Sequence, residues 1–308
     1  MNLGIYYALG CYGLWGILPI YWKLLKQVPA DQILSHRIVW SLVFMLAVLF
    51  YKKDWSWIFR LKENPKLIFW FLALSSLISI NWYLYIWAVN DGQIVETSLG
   101  YFMNPLVNVL LGVVLLKERP RRLQWMAILI AFSGVAFLTF AYGKLPWIAL
   151  TLAFSFGVYG LLKKLVAIGP LRGLTLETGL LCIPALIFLI TTPSPAFTNQ
   201  GITTDTLLVL GGIVTGTPLL LFAGAAKNLS MTSLGLMQYM APTIQFLIGI
   251  WLYKEPFSTD QLIGFSIIWF ALSLFALDLL KLRRQNLNAQ KLKKECTNEE
   301  KMQLAKFK

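Results

Sequence analysis

TSLGYFMNPLVNVLLGVVLLKE, from Thr97 to Glu118, recurs as TSLGLMQYMAPTIQFLIGIWLYKE from Thr232 to Glu255. In each copy a proline, Pro105 or Pro242, stands thirteen residues before the glutamate of a Lys-Glu pair. A long apolar segment written twice marks an internally duplicated membrane protein. When each copy holds an odd number of spans, the halves enter the bilayer in opposite orientations, which is a transporter architecture.

Composition agrees with residence in lipid. Of 308 residues, 57% are hydrophobic and 13% charged, too few charges to coat a soluble surface and too much apolar mass for one core. Apolar runs fall near residues 3–22, 32–51, 67–89, 97–116, 123–142, 145–162, 173–192, 206–226, 232–253 and 260–280. Each is close to the roughly 20 residues that cross a bilayer. The expected fold is an all-α integral membrane protein with ten transmembrane helices in two inverted five-helix repeats. The first repeat covers 1–142 and the second 143–280, followed by a basic cytoplasmic tail, 281–308, read as mobile because it is polar and lacks apolar periodicity. The first run has no Lys or Arg before Lys23 and no cleavage-site pattern, so it is expected to stay as a span.

Charge sets the orientation. With both termini cytoplasmic, 22 of the 27 Lys and Arg residues fall on the inner side, and only Lys23, Lys26, Lys144 and Lys254 in outer loops, with Arg37 inside a span. That asymmetry is the positive-inside signal of a multi-pass protein of the bacterial cytoplasmic membrane. The net charge of +13 then needs anionic lipid, not nucleic acid, as its partner. Cys11, Cys182 and Cys296 form no CxxC pair, and neither disulfide nor metal site is expected.

The duplication extends further. An offset of 137 sets Pro105 on Pro242, Gly112 on Gly249, Lys117 on Lys254 and Glu118 on Glu255. An offset of 144 sets Gly13, Trp15 and Gly16 on Gly157, Tyr159 and Gly160, and one of 141 sets Pro29 on Pro170 and His36 on Glu177. Tyr101, Asn104, Pro105 and Asn108 share one helical face, and Gln238, Pro242 and Gln245 repeat that stripe in the second copy. A proline inside a helix frees a backbone carbonyl, which at membrane depth needs protein, water or ligand. These amides therefore either line a cavity or tie helices together. Trp15 and its mate Tyr159 are candidates for an aromatic wall, and Asn81 for cavity or structural bond. Trp22, Trp55, Trp57 and Trp147 fit an interfacial belt.

Intramembrane charge is expensive and marks function by default. His36, Arg37 and Glu177 are the candidates, although Arg37 near a helix end can snorkel and Glu177 can serve as a dipole partner. Glu118 and Glu255, beside lysines, are expected to pair locally.

The run YGLWGILPIYWKLLKQVPADQILSHRIVWS (Tyr12 to Ser41), with FSFGVYGLLKK, LRGLTLETGLL and MQYMAPTIQFLIG, resembles the chloramphenicol-sensitive protein family of RarD-type permeases. These are EamA-like members of the drug/metabolite transporter superfamily. The resemblance covers all but the tail and implies alternating access around a central cavity lined by helices one, three, four, six, eight and nine. It places the family's aromatic-Gly element at Trp15-Gly16, its His-Arg element at His36-Arg37 and its helix-seven glutamate at Glu177. Lys163-Lys164 stands where Arg-Lys is expected.

The sequence thus reads as a secondary transporter, an exporter-type permease, for small amphipathic metabolites or drugs such as amphenicols or amino acids. Expected substrate-binding residues are Trp15, Arg37, Asn81, Tyr101, Asn104, Tyr159, Gln238 and Gln245. His36 and Glu177 are expected to couple protons, because imidazole titrates near neutrality and a buried carboxyl is displaced toward it. No phosphate-binding loop is present and no cofactor is expected. The alternative, a membrane enzyme acting on a lipid-linked substrate, calls for clustered carboxylates or a metal site, whereas this chain has a single His and isolated acids.

Cysteine accessibility in whole cells tests the topology. A cysteine near Lys62 is expected to resist an impermeant reagent added outside, and one in the Lys-free and Arg-free stretch 193–205 to react. Outside labelling near Lys62 contradicts the orientation.

Overall fold

The computed structural model describes residues 3–53, 55, 66–90, 94–143, 145–166, 168–254 and 258–306. Glu255, Trp57, Lys62 and Lys144 lie outside them. All regular structure among the described residues is helical: α1 (Leu3–Lys23), α2 (Ala30–Lys52), α3 (Lys66–Asn90), α4 (Ile94–Val114), α5 (Arg122–Tyr142), α6 (Trp147–Leu165), α7 (Pro170–Thr191), α8 (Ile202–Asn228), α9 (Met231–Gln238), α10 (Met240–Trp251) and α11 (Thr259–Lys306). Eight are long and apolar enough to cross a membrane, and Leu99–Val114 within α4 is a shorter apolar stretch. The protein is an all-α membrane protein.

The strongest helix contacts keep their pattern when the two halves are exchanged, although α6 and α7 both meet α8 where α1 and α2 do not meet α3 to the same extent. α4 lies on α6 as α1 lies on α9 and α10; α2 lies on α8 as α7 lies on α3; α1 lies on α8 as α6 lies on α3. α2 with α7, α5 with α11, and α4 with α9 each pair with their own counterpart. Lys117 and Lys254, one offset apart, both take left-handed backbone, with φ of 53° and 51°.

The ninth span departs from its expected single helix over 232–253. It is interrupted at Tyr239, between α9 and α10. Its copy of the motif carries two more residues between glycine and proline than the first: five steps from Gly100 to Pro105, seven from Gly235 to Pro242. Two extra residues rotate a continuous helix by about 200°. A break lets α9 and α10 each keep its own face, and it falls where Pro242 supplies no N–H to the carbonyl of Gln238. At the crossing with α4, a Cβ on Gly235 would overlap the Pro105 carbonyl oxygen, so only glycine fits there.

α11 also differs from expectation, continuing through Lys306 where a mobile tail was expected. No glycine or proline follows Gly264, and the tail is rich in Lys, Leu, Gln, Glu and Ala, all good helix formers.

Glu118 does not pair with its neighbouring lysine. Its carboxylate accepts from the backbone N–H of Met231 at 2.7 Å and of Thr232 at 2.9 Å, and from the Thr232 hydroxyl at 2.8 Å. It caps α9 from the other repeat, satisfying N–H groups that a helix start leaves open and matching the positive end of its dipole. The left-handed turn at Lys117 aims it there, and Gly112 leaves the room: a Cβ would sit 2.8 Å from the Glu118 carboxylate. Glu118→Ala is expected to lower stability by about 1–2 kcal/mol, read as an earlier thermal transition in detergent. Lys117→Gly is expected to keep or raise it, because the left-handed backbone favours glycine. Equal losses from both would support local pairing instead.

Candidate functional site

Prolines open the centre of the bundle. Pro19 in α1 leaves the Trp15 carbonyl without its helical donor, and Gln245 Nε2 of α10 donates to that oxygen at 3.0 Å. The two helices meet closely there, since a Cβ on Gly16 would stand 2.6 Å from Ile244 Cβ. Pro105 and Pro242 likewise free the carbonyls of Tyr101 and Gln238. Both residues line a central cavity of about 350 Å³.

The cavity wall draws on both halves. α1 contributes Trp15, Pro19 and Trp22; α3 contributes Asn81, Trp82 and Tyr85; α4 contributes Tyr101 and Asn104. Leu152 and Phe156 come from α6, Thr215 from α8, and Gln238, Pro242 and Gln245 from α9 and α10. α2 adds Ala30, Ile33 and Arg37, a helix beyond the six that the resemblance implies. Trp22 and Ala30, at the adjoining ends of α1 and α2, mark the end of the bundle toward which the cavity extends. Trp22 is therefore a wall residue and not a belt residue. Trp147, 49% exposed and 6.0 Å from the Trp87 ring, lies at the surface.

Seven of the expected binding residues, Trp15, Arg37, Asn81, Tyr101, Asn104, Gln238 and Gln245, come together on this wall. The amides also tie helices. Asn81 Nδ2 donates to the Leu152 carbonyl and to Ser155 Oγ, both at 2.9 Å, and Asn104 Nδ2 to the Ala153 carbonyl at 3.1 Å. Asn108, fully buried, donates to Asn104 Oδ1 at 3.2 Å and across the repeats to Gln238 Oε1 at 2.7 Å. Wall and joint are thus the same side chains. Asn81 and Gln245 use their donors on neighbouring helices, which leaves their amide oxygens for the cavity.

Arg37 does not snorkel. Its Nε donates to Thr215 Oγ1 of α8 at 2.9 Å, and its guanidinium lies 4.6 Å from the Trp22 ring centre and 5.2 Å from that of Trp82.

Below the cavity the bundle is closed by aromatic rings. Trp15 and Phe156, 5.7 Å apart, form the floor, with Phe222 5.6 Å from Trp15 and stacked on Tyr159. Tyr159 is 1% exposed and absent from the cavity wall. Its hydroxyl donates to Glu177 Oε2 at 2.9 Å, and Lys163 Nζ lies 2.5 Å from Glu177 Oε1, with both charged groups buried. Tyr159 and Glu177 therefore sit beneath the floor. Tyr12 adds a bond to the Leu234 carbonyl at 3.1 Å, and Lys164 and Lys227 bond the carbonyls of Leu229 and Ile168. His36, 7% exposed, lies near the opposite end of the bundle with its ring 5.2 Å from Phe197, also off the cavity wall.

Three residues with structural consequence escape a reading by pattern. Lys163 counts in the sequence only as an inner-side charge, Glu118 only as half of a local pair, and Asp278, held by Arg121 across α5 and α11, is missed within the last span. Asp278 alone left a signal, a carboxylate inside the apolar run. Among the described residues, no three His, Cys, Asp or Glu side chains stand together as a metal site.

The model of the EamA-like transporter family matches residues 2–140, close to the stretch expected as the first repeat. The chain is 49% identical to the uncharacterized transporter YojE of Bacillus subtilis over 86% of its own length and 91% of that protein. Protein RarD of Salmonella typhi matches at 44% identity over 86% and 92%, and protein RarD of Escherichia coli at 42% over 86% and 91%. A solved crystal structure, 18% identical, superposes with a TM-score of 0.70 over 90% of this chain and 98% of its own, a likeness of fold. The chain belongs to the RarD-type branch of the EamA-like transporter family, and is a multi-pass membrane transporter of the drug/metabolite group.

Proposed function

We propose that this protein is a secondary transporter that moves small amphipathic solutes across the bacterial cytoplasmic membrane by alternating access, with both termini inside. The observation that carries this reading is the one-sided cavity: a 350 Å³ chamber in one half of the bundle, walled by both repeats, above a floor of stacked rings and a buried ion pair in the other half. With the charge asymmetry setting orientation, the chamber faces out and the closed half faces in. Exchange of roles between the halves then delivers solute inward or outward. The RarD-type relationship brings amphenicols and amino acids in as solutes to try.

His36 and Glu177 lie on opposite sides of the cavity floor, as residues of an inverted pair do. In this cycle, opening the inner half draws α6 and α7 apart, separating Glu177 from Lys163. Glu177, freed from Lys163 and reached by inner-side water, is the group that exchanges a proton there. Arg37, which keeps its charge, holds the outer chamber positive throughout.

In proteoliposomes loaded with radiolabelled chloramphenicol or phenylalanine, Ala at Tyr101, Asn104 or Gln238 is expected to lower flux more than it lowers folded protein. Equal losses in both would make these residues structural joints only. Glu177→Gln is expected to preserve solute exchange and abolish accumulation on a pH gradient, with His36→Gln as the companion variant. If both still concentrate solute as the parent does, proton coupling through these residues is wrong.

The ion pair has its own signature. Lys163→Met alone leaves a buried carboxylate unpaired and is expected to destabilise by about 3–5 kcal/mol, while the double variant with Glu177→Met recovers most of that loss. Thermal transitions of the three variants in detergent measure it, and additive losses would contradict a coupled pair.

A further inference from the structure

We infer that the cavity takes organic monoanions: solutes with one carboxylate, or a group of like shape and charge, on an apolar or aromatic body. This rests on the solute-cavity reading above and narrows it to a chemical class.

Arg37 is the one charged side chain on the cavity wall among the described residues, and no carboxylate faces it there. A cation inside a membrane bundle ordinarily stands opposite an acid, because an uncompensated charge in low dielectric is costly. Here its protein surroundings are the Thr215 hydroxyl, which engages Nε, the faces of Trp22 and Trp82, and the neutral phenols of Tyr21, Tyr85 and Tyr101. Ring faces soften the charge without cancelling it. Of the five guanidinium donors one is used, which leaves the Nη donors free to take a carboxylate as a bidentate fork. Two indoles and a hydroxyl hold the fork still before solute arrives, so little ordering cost remains at binding.

The rest of the wall describes the rest of the solute. Trp15, Ile33, Phe156 and Leu219 offer apolar surface. A chamber of 350 Å³ has the size of a site for a small organic molecule, far beyond an inorganic anion. Asn81 and Gln245 present neutral acceptors suited to a hydroxyl or amide on the solute body, and among the described residues no acid lines the wall for a second, positive charge. A zwitterion therefore leaves its ammonium half-served, and a cation meets like charge.

Four isosteres separate these cases: 3-phenylpropionate, its amide, 3-phenylpropylamine and phenylalanine. Binding is read by isothermal calorimetry on the full chain in detergent, at low salt in a buffer free of carboxylates. The propionate is expected to bind about tenfold or more tighter than the amide, the difference that a charge-assisted hydrogen bond supplies. Phenylalanine should bind more weakly than the propionate, and the amine not at all. Arg37→Gln is expected to erase the preference of propionate over amide, and Arg37→Lys to keep part of it. An unchanged thermal transition in both variants shows that the fold is intact. If the amide, the amine or phenylalanine binds as tightly as the propionate, or if Arg37→Gln keeps the preference, the anion inference falls and the solute cavity stands. If none of the four binds at millimolar concentration, both fall.

Discussion

A backbone carbonyl at membrane depth must find a donor, and the centre of this protein is arranged around carbonyls that prolines have freed. Pro19 releases the Trp15 carbonyl, and the side chain of Gln245 from the other repeat answers it at 3.0 Å. Pro105 and Pro242 release those of Tyr101 and Gln238, which lie on the cavity wall where water or solute can serve them. The same prolines turn amides inward, and Asn104, Asn108 and Gln238 join into one bonded chain across the two halves. Replacing this joint with apolar side chains would leave the carbonyls and remove the reason for a cavity. Joint and solute chamber are consequences of one constraint.

The halves share most of their helix contacts but not their chemistry. Toward one end the bundle is held shut by Lys163 with Glu177, by lysines on loop carbonyls, and by Glu118 on the start of α9. At the other end the mates of Tyr159 and Glu177 are Trp15 and His36, and the charge beside His36, Arg37, faces an open chamber. A buried ion pair gives up much of its Coulomb attraction to desolvation, so its contribution is a defined geometry more than deep stability. That suits a closure that opens in each turn of the proposed cycle.

Much of this was legible in the chain because periodicity and duplication are local or linear signals. The ten apolar runs, the repeated proline stripes and the isolated Arg37 can be read by counting, and the structure brings Tyr101, Asn104, Gln238, Pro242 and Gln245 of the stripes to one wall with Arg37. What counting cannot supply is the identity of partners distant in sequence. Glu118 looked like half of a local pair because its true partner, the start of α9, lies 113 residues away. Lys163 looked like a topology signal because nothing local points it at Glu177. Tyr159 inherited a wall role from its mate Trp15, yet its hydroxyl finds the carboxylate instead. The break at Tyr239 was present as two extra residues between Gly235 and Pro242, visible only when the copies are aligned from both ends.

The central claim is that the two ends open in alternation about the ring-stacked floor. Double electron–electron resonance in proteoliposomes tests it, with one label pair at Lys26 and Leu145 across the cavity mouth and a second at Tyr6 and Leu165 across the closed end. On adding transported solute, the account predicts a population in which the first distance shortens and the second lengthens by a matching fraction of molecules. Lengthening at both ends together, or transport with neither distance changing, would contradict it.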